Sequence, residues 1–361
     1  MSKEEKNSPE KKPNYSWILT AILTVIIGYA LLNDWGNSEE KTGKPPAPNP
    51  SEETVPEGMA TAKIVTTPVE EPQTKPPTIP TVTPKPTPPP PRKVEMGSME
   101  PPEGFAAEYK AADSGIVLQW VAPGKFQMGS PPDEQHRRRW EDLHPVTLTE
   151  GYWLGRYEVT QKTWVELGME NNSYFKGPRN PVGKVSWNDA LEFCKRLSDH
   201  VKAKQEIPEG YVFRLPSEAE WEYACRAGTQ TASSFGDAMS SKQANFDGRS
   251  PLGKATKGIN RKRPMPVGYY SPNAWGFYDM HGNMWEWCLD GWREFTDRQE
   301  VNPLPSRAEI NPRYKVVKGG SWYVHGWECR STSRYALRPA VRYNTGIGLR
   351  VALGRKLPLS K

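Results

Sequence analysis

The chain has 361 residues, 25% of them charged, and a net charge of +6 in which acids and bases are interspersed. The basic knot HRRRWEDLH (His136–His144) is flanked by acids, so it reads as a solvated loop and the sequence excludes a nucleic-acid surface. No zinc-type spacing occurs among four cysteines and five histidines, and His136 and His144 lack a carboxylate placed as in HExxH.

Ser16–Trp35 (SWILTAILTVIIGYALLNDW) carries no charge before Asp34. Its strictly apolar part is about 16 residues, extended to about 20 by flanking Ser, Asn and Trp, which suits a membrane anchor with tryptophans at both interfaces. Lys3, Lys6, Lys11 and Lys12 precede it, and Asp34, Glu39 and Glu40 follow. The positive-inside bias therefore makes residues 1–15 a cytoplasmic tail and places the rest outside the cytoplasm, periplasmic or at the cell surface. The alternative is a cleaved signal peptide with Gly28–Ala30 as a small-x-small site, but the apolar run continues past it. Between Gly36 and Gly104 there is no aromatic residue, and sixteen prolines fall between Gly36 and Glu100. Such a segment buries too little apolar surface to offset its ordering entropy. It reads as an extended stalk, whose roughly 65 residues reach on the order of 200 Å at about 3.1 Å each.

Residues 105–361 read as one globular α+β domain, with twelve of the fourteen tryptophans between Trp120 and Trp327. Gly115–Val121 (GIVLQWV) is a strand entering the turn APGKFQMGS, and VTLTEGYWLGRYEVT holds two short strands joined through Gly151. Three helices follow. Thr160 opens the first. Ser186 opens the second, with Ala190, Phe193, Cys194 and Leu197 spaced for one buried face. Ser217 and Glu220 form a capping box on the third, which Gly228 ends. After Gly228 the sequence shows little regular structure until GIGLRVAL (Gly346–Leu353), read as one closing strand. So few elements need bound ions, disulfides or buried side-chain hydrogen bonds to hold their loops.

From Gly115 to Leu353 the ordered motifs FQMGS, GRYEVTQKTW, NPVGKVSWNDALEFC, FRLPSEAEWEYACRAG, GFYDMHGNMWEWCLDGW and VVKGGSW through GIGLRVAL resemble the formylglycine-generating enzymes, or sulfatase-modifying factors. The resemblance implies a loop-rich fold similar to C-type lectins; it does not by itself fix the activity. In the enzymes naming that family, two cysteines after GGS oxidise a substrate cysteine to formylglycine with copper and oxygen. The matching positions hold Val324 and Cys329. Valine offers no thiolate to a soft cation such as Cu(I), and one thiolate cannot supply two-sulfur coordination, so copper is not expected. Counted back from RSTSR, Cys329 instead matches a cysteine that some members bond to the one in YACRAG. The resemblance thus implies a Cys225–Cys329 disulfide, which an extracytoplasmic location permits. Cys194 and Cys288 either pair or stay buried as thiols. Ser321 matches a serine beside the copper and oxygen site, yet GGSW also occurs in members without the cysteine pair. A structural turn at Gly319 and Gly320, tied by Ser321, is the expected role, and His325 reads as a polar rim residue.

The resemblance also implies calcium, held by a side-chain oxygen of Asp279, backbone oxygens of Gly282 and Met284, and the Glu286 carboxylate. Mixed carboxylates and carbonyls from a tight loop suit the six to eight hard oxygens the ion takes. The family's other calcium site keeps Asn245 and Phe246, but its downstream aspartate falls near Ile259, among basic residues.

Three functions compete. The first is a membrane-anchored binding or scaffolding module without oxidase chemistry, recognising a protein or glycan, with a sulfatase as one candidate. The second is a formylglycine-generating oxidase, disfavoured by Val324. The third, an iron-dependent sulfoxide synthase, needs ligands from an additional helical domain, where this chain has a proline stalk.

Overall fold

The computed structural model describes residues 94–303, 311–342 and 345–356. The expected tail, anchor and most of the stalk lie outside them. Residues 97–99 are not free stalk: Gly97 N donates to Thr149 O (2.7 Å) and Trp120 Nε1 to Met99 O (2.8 Å). No helix of the described residues is long and apolar enough to cross a membrane.

Among the described residues twelve short strands make three sheets. The largest has five strands, in the order β1 (Glu108–Lys110), β2 (Val117–Val121), β5 (Tyr152–Gly155), β12 (Ala352–Arg355) and β6 (Tyr211–Arg214), all antiparallel. The second runs β10 (Arg334–Leu337), β9 (Asn311–Lys318), β7 (Trp285–Trp292) and β11 (Ile347–Gly348). The third joins β3 (Gly124–Met128), β4 (His144–Leu148) and β8 (Glu300–Val301). The two strands expected around Gly151 therefore form, but they enter different sheets.

Local capping fixes the helices. Thr160 Oγ1 accepts from Thr163 N at the start of α1 (Gln161–Glu166). Ser186 with Asp189 closes a capping box on α2 (Trp187–Lys202), whose buried face is Ala190, Phe193, Cys194, Leu197 and Val201. Ser217 and Glu220 do the same for α3 (Glu218–Arg226), and Ala227 leaves the helix at φ 47° ahead of Gly228 at φ 89°. α2 packs on β6 of the large sheet; α3 lies between β3–β4 and β7–β9.

Two expectations fail. GIGLRVAL is two strands, β11 and β12, in two sheets. The region after Gly228 also contains β7 and β9, whose WEWCLDGW and VVK segments bury acids and a lysine among apolar residues. Polar groups inside the core erase the alternation that marks a strand.

The tryptophans act as ties as well as filler. Indole Nε1 groups donate to the carbonyls of Ala106 from Trp153, Glu170 from Trp164, Cys288 from Trp187 and Val185 from Trp287, at 2.8 to 3.0 Å. Each packs a large, mostly apolar ring while its N–H holds one backbone carbonyl, three of them in loops and one, of Cys288, in β7.

Candidate functional site

The GGSW turn sits at the end of β9. Gly319 (φ 95°) and Gly320 (φ 80°) take left-handed backbone that a side chain would strain. A Cβ on Gly320 would stand 2.4 Å from Cys329 Sγ. Cys329 is therefore pressed against backbone with no exposure, its thiol turned toward His325 O (3.7 Å). Burial, first of all, pushes that thiol well above its ordinary range. A nucleophilic or metal-binding cysteine needs access and a stabilised thiolate, and Cys329 has neither. Val324 is 6% exposed, its carbonyl accepting from Asp247 N (2.8 Å). Ser321, fully buried, donates to Asn283 O (3.2 Å), so it ties the turn as expected.

The expected Cys225–Cys329 disulfide is not formed: all four cysteines are buried free thiols. His281 occupies the space beside them. Its Nε2 lies 3.0 Å from Ser234 N, and a backbone N–H only donates, so Nε2 accepts and the ring proton sits on Nδ1. Nδ1 then donates to Cys329 O (2.8 Å). Cys225 Sγ is 3.7 Å from Nε2. Burial pushes the imidazole down to about 4, so the ring is neutral at physiological pH. Cys194 and Cys288 are also unpaired and buried, and burial pushes both thiols up, Cys194 to about 12. His136 and His144 share nothing: His136 stacks on Trp327, and His144 is buried near Glu300.

The acidic cluster behind the turn is organised around an arginine. Arg350 donates to both Glu286 oxygens (2.9 and 2.7 Å) and to the carbonyls of Gly155 and Tyr278 (2.8 Å each). Trp221 Nε1 donates to Glu286 Oε2 at 2.7 Å. Asp279 accepts from Gly268 N through Oδ2 (2.8 Å), and its Oδ1 is buried without a partner. Burial lifts Asp279 to about 6. A calcium ion needs several unengaged oxygens; here Glu286 has none, and the fixed guanidinium holds the cation's electrostatic place. Asn245, of the other expected site, gives its amide to Arg263 O and Asn283 Oδ1, and Ile259 is 66% exposed among cations. No group of three or more His, Cys, Asp or Glu among the described residues is arranged to hold a metal. These side chains do not fit calcium as they stand.

Two residues missing from the sequence reading organise this region. Asn283, fully buried at φ 66°, donates to Glu158 Oε2 (2.7 Å), while its Oδ1 accepts from Asn245 Nδ2 (2.9 Å) and Met265 N (2.8 Å). Its backbone carbonyl accepts from Trp322 N (2.9 Å) as well as from Ser321. Glu158 in turn accepts from Met284 N (2.9 Å). Four other segments meet at this one residue, three at its side-chain amide and one at its backbone carbonyl. The available signal was the Gly-Asn pair in HGNMWEW, where Gly282 (φ 127°) leaves no room for a Cβ against Asn245 O (2.4 Å).

A loop-rich α+β frame with a double-glycine turn, a buried Trp–Glu–Arg tie and four buried thiols is the arrangement of a sulfatase-modifying-factor-type domain. Residues 107–354 match the family model of the sulfatase-modifying factor enzyme 1-like domain, and the chain belongs to that family. It is 32% identical over 212 residues to the chaperone protein LppX of Paenibacillus barcinonensis, covering 49% of this chain and 71% of LppX. It is 29% identical over 193 residues to the mouse formylglycine-generating enzyme, 52% of this chain and 46% of that enzyme. The chain thus spans about half the length of that enzyme. Among solved structures, PvdO from Pseudomonas aeruginosa is similar with a TM-score of 0.54 and 27% identity, covering 68% of this chain and 97% of PvdO. Treponema denticola variable protein 1, at TM-score 0.56 and 24% identity over 68% of this chain and 97% of its own, shares the fold.

Proposed function

We propose that this chain is a family member without oxidase chemistry, a binding module anchored through Ser16–Trp35 with its domain outside the cytoplasm. The observation that carries the reading is Val324 at the expected first thiol position, with the remaining Cys329 sealed beneath Gly320. Oxidation through a copper–dithiolate needs two thiolates that oxygen and substrate reach, and this site offers neither pair nor path. The similarity to a protein named as a chaperone supports a protein as the partner; the formylglycine-generating relatives make a sulfatase one candidate. The opposing reading, an active oxidase, draws on the same relatives.

The deciding experiment incubates the full chain in detergent with copper, oxygen and a peptide containing CxPxR. Mass spectrometry is expected to return the peptide unchanged. Conversion of its cysteine to formylglycine overturns the proposal. The anchor is checked separately by the mass of the protein recovered from membranes, which retains residues 1–35 if the segment is uncleaved.

A further inference from the structure

The segment Arg249–Arg263 (RSPLGKATKGINRKR) holds six basic residues and no acid. It folds back on the domain: Leu252 N donates to Met239 O (3.0 Å) and Gly258 N to Gly248 O (2.6 Å). Two of its cations are used internally. Arg249 pairs with Asp247 (2.6 Å), and Arg261 reaches Ser241 O (3.2 Å) with its guanidinium 5.5 Å from the rings of Tyr269 and Tyr270. The side chains of Lys254, Lys257, Lys262 and Arg263 are exposed and have no hydrogen-bonding or ionic partner among the described residues. Between them stands Ile259, 66% exposed, and Arg261 holds Tyr269, 55% exposed, alongside.

The same loop borders the closed reaction centre. Asp247 N donates to Val324 O and Gly326 N to Ser250 O, both at 2.8 Å. A Cβ on Gly326 would stand 2.5 Å from Leu252 N, so loop and turn are packed backbone to backbone.

Four unpaired like charges between Lys254 and Arg263, on the segment that carries exposed Ile259 and holds exposed Tyr269 through Arg261, repel one another and make no ion pair or hydrogen bond among the described residues. Such a patch raises the encounter rate with an anionic partner, and the apolar residues supply the contact area that charge alone does not. Three of the four are lysines, point charges suited to carboxylates on a mobile chain and not to one rigid bidentate fork. A sulfated glycan would satisfy the cations but leave Ile259 in water. We propose that Lys254–Arg263 with Tyr269 is a docking face for an acidic polypeptide segment carrying interspersed apolar residues; this rests on the binding-module reading and names its partner class.

The test uses fluorescence anisotropy on the full chain in detergent with three probes: a peptide alternating Glu and Leu, a poly-Glu peptide of equal charge, and heparin. The Glu/Leu peptide is expected to bind, with affinity falling about tenfold or more between 50 and 500 mM NaCl as screening sets in. Joint reversal of the four cations (Lys254→Glu, Lys257→Glu, Lys262→Glu, Arg263→Glu) is expected to weaken it at least about thirtyfold, since like-charge juxtaposition adds to the lost attraction. Ile259→Ser with Tyr269→Ser is expected to weaken the Glu/Leu peptide about fivefold and leave poly-Glu unchanged. All six positions are on the surface, and unchanged melting curves verify the fold. No binding of the Glu/Leu peptide, or binding indifferent to the charge reversal, overturns the proposal. So does heparin binding as tightly as that peptide with no loss in the Ile259/Tyr269 variant, which assigns the patch to a polyanionic glycan. Formylglycine formation on the CxPxR peptide would overturn the binding-module reading through a different readout.

Discussion

At Val324 one side chain separates two chemistries, and the backbone packed around Cys329 supports the same proposal. Because Cys329 is packed against Gly320 with no exposure, Val324→Cys is expected to leave the protein without copper-dependent oxidase activity. Formylglycine on a CxPxR peptide in that variant would show that the frame is still competent. The thiols give an independent check. A thiol-specific reagent such as dithionitrobenzoate is expected to find no fast-reacting group in the native protein and four after denaturation; two would mean that one bridge is present. His281 adds a pH signature. Its folded pKa, about 4 under burial, lies below the unfolded value of 6.5, so its contribution is present above pH 6.5 and is lost as pH falls toward 4. The unfolding free energy of wild type minus His281→Asn is expected to rise by at most about 3 kcal/mol across that window and then level off. A difference flat from pH 4 to 7 would show that His281 is not held neutral.

At the scale of elements, α3 shows what holds this fold without disulfides. All three of its glutamates are buried and each has its own cation. Glu218 meets Arg334 (2.6 Å), Glu220 meets Arg214 (2.7 Å), and Glu222 meets both Lys318 and Arg226 (2.9 Å each). Removing one partner from a buried pair leaves an uncompensated charge. Glu222→Ala is therefore expected to cost about 3–5 kcal/mol in denaturant unfolding, whereas Lys195→Ala, in an exposed pair on α2, changes it by less than about 0.5. Equal effects would mean that the α3 network contributes no more than a surface pair. The Ser186 cap of α2 and the capping box of α3 were legible because the pattern is local, the box partners lying three residues apart. Lys318, Glu286 and Arg350 were not, since their partners come from distant segments and a charged residue in a sequence points outward by default. GIGLRVAL read as one strand for the same reason. Its middle leaves the ladder so that Arg350 turns inward to Glu286, and Val159 N and Gly155 N bond the carbonyls of Leu349 and Val351.

For the whole molecule, the family motifs made the fold legible, and the identities of two positions, Val324 and Cys329, carry the proposal of a non-oxidase role. What they left open was the means of holding long loops together, and there the structure uses Asn283, indole N–H groups and buried ion pairs. Calcium and EDTA are accordingly expected to give the same melting temperature, because the Glu286 oxygens are committed to Arg350 and Trp221. A rise in melting temperature with calcium that disappears in Glu286→Ala would show that an ion displaces the guanidinium.

The position of β12 also governs when the domain is made. It lies between β5 and β6, and Leu353 pairs with Trp153, laid down 200 residues earlier. The largest sheet therefore has a gap between β5 and β6 until Arg355 has left the ribosome. At synthesis rates of about 5–20 residues per second, β5 waits on the order of 10 to 40 s for its neighbour. Throughout that interval the nascent chain presents the unpaired edges of β5 and β6, which are templates for pairing with another chain.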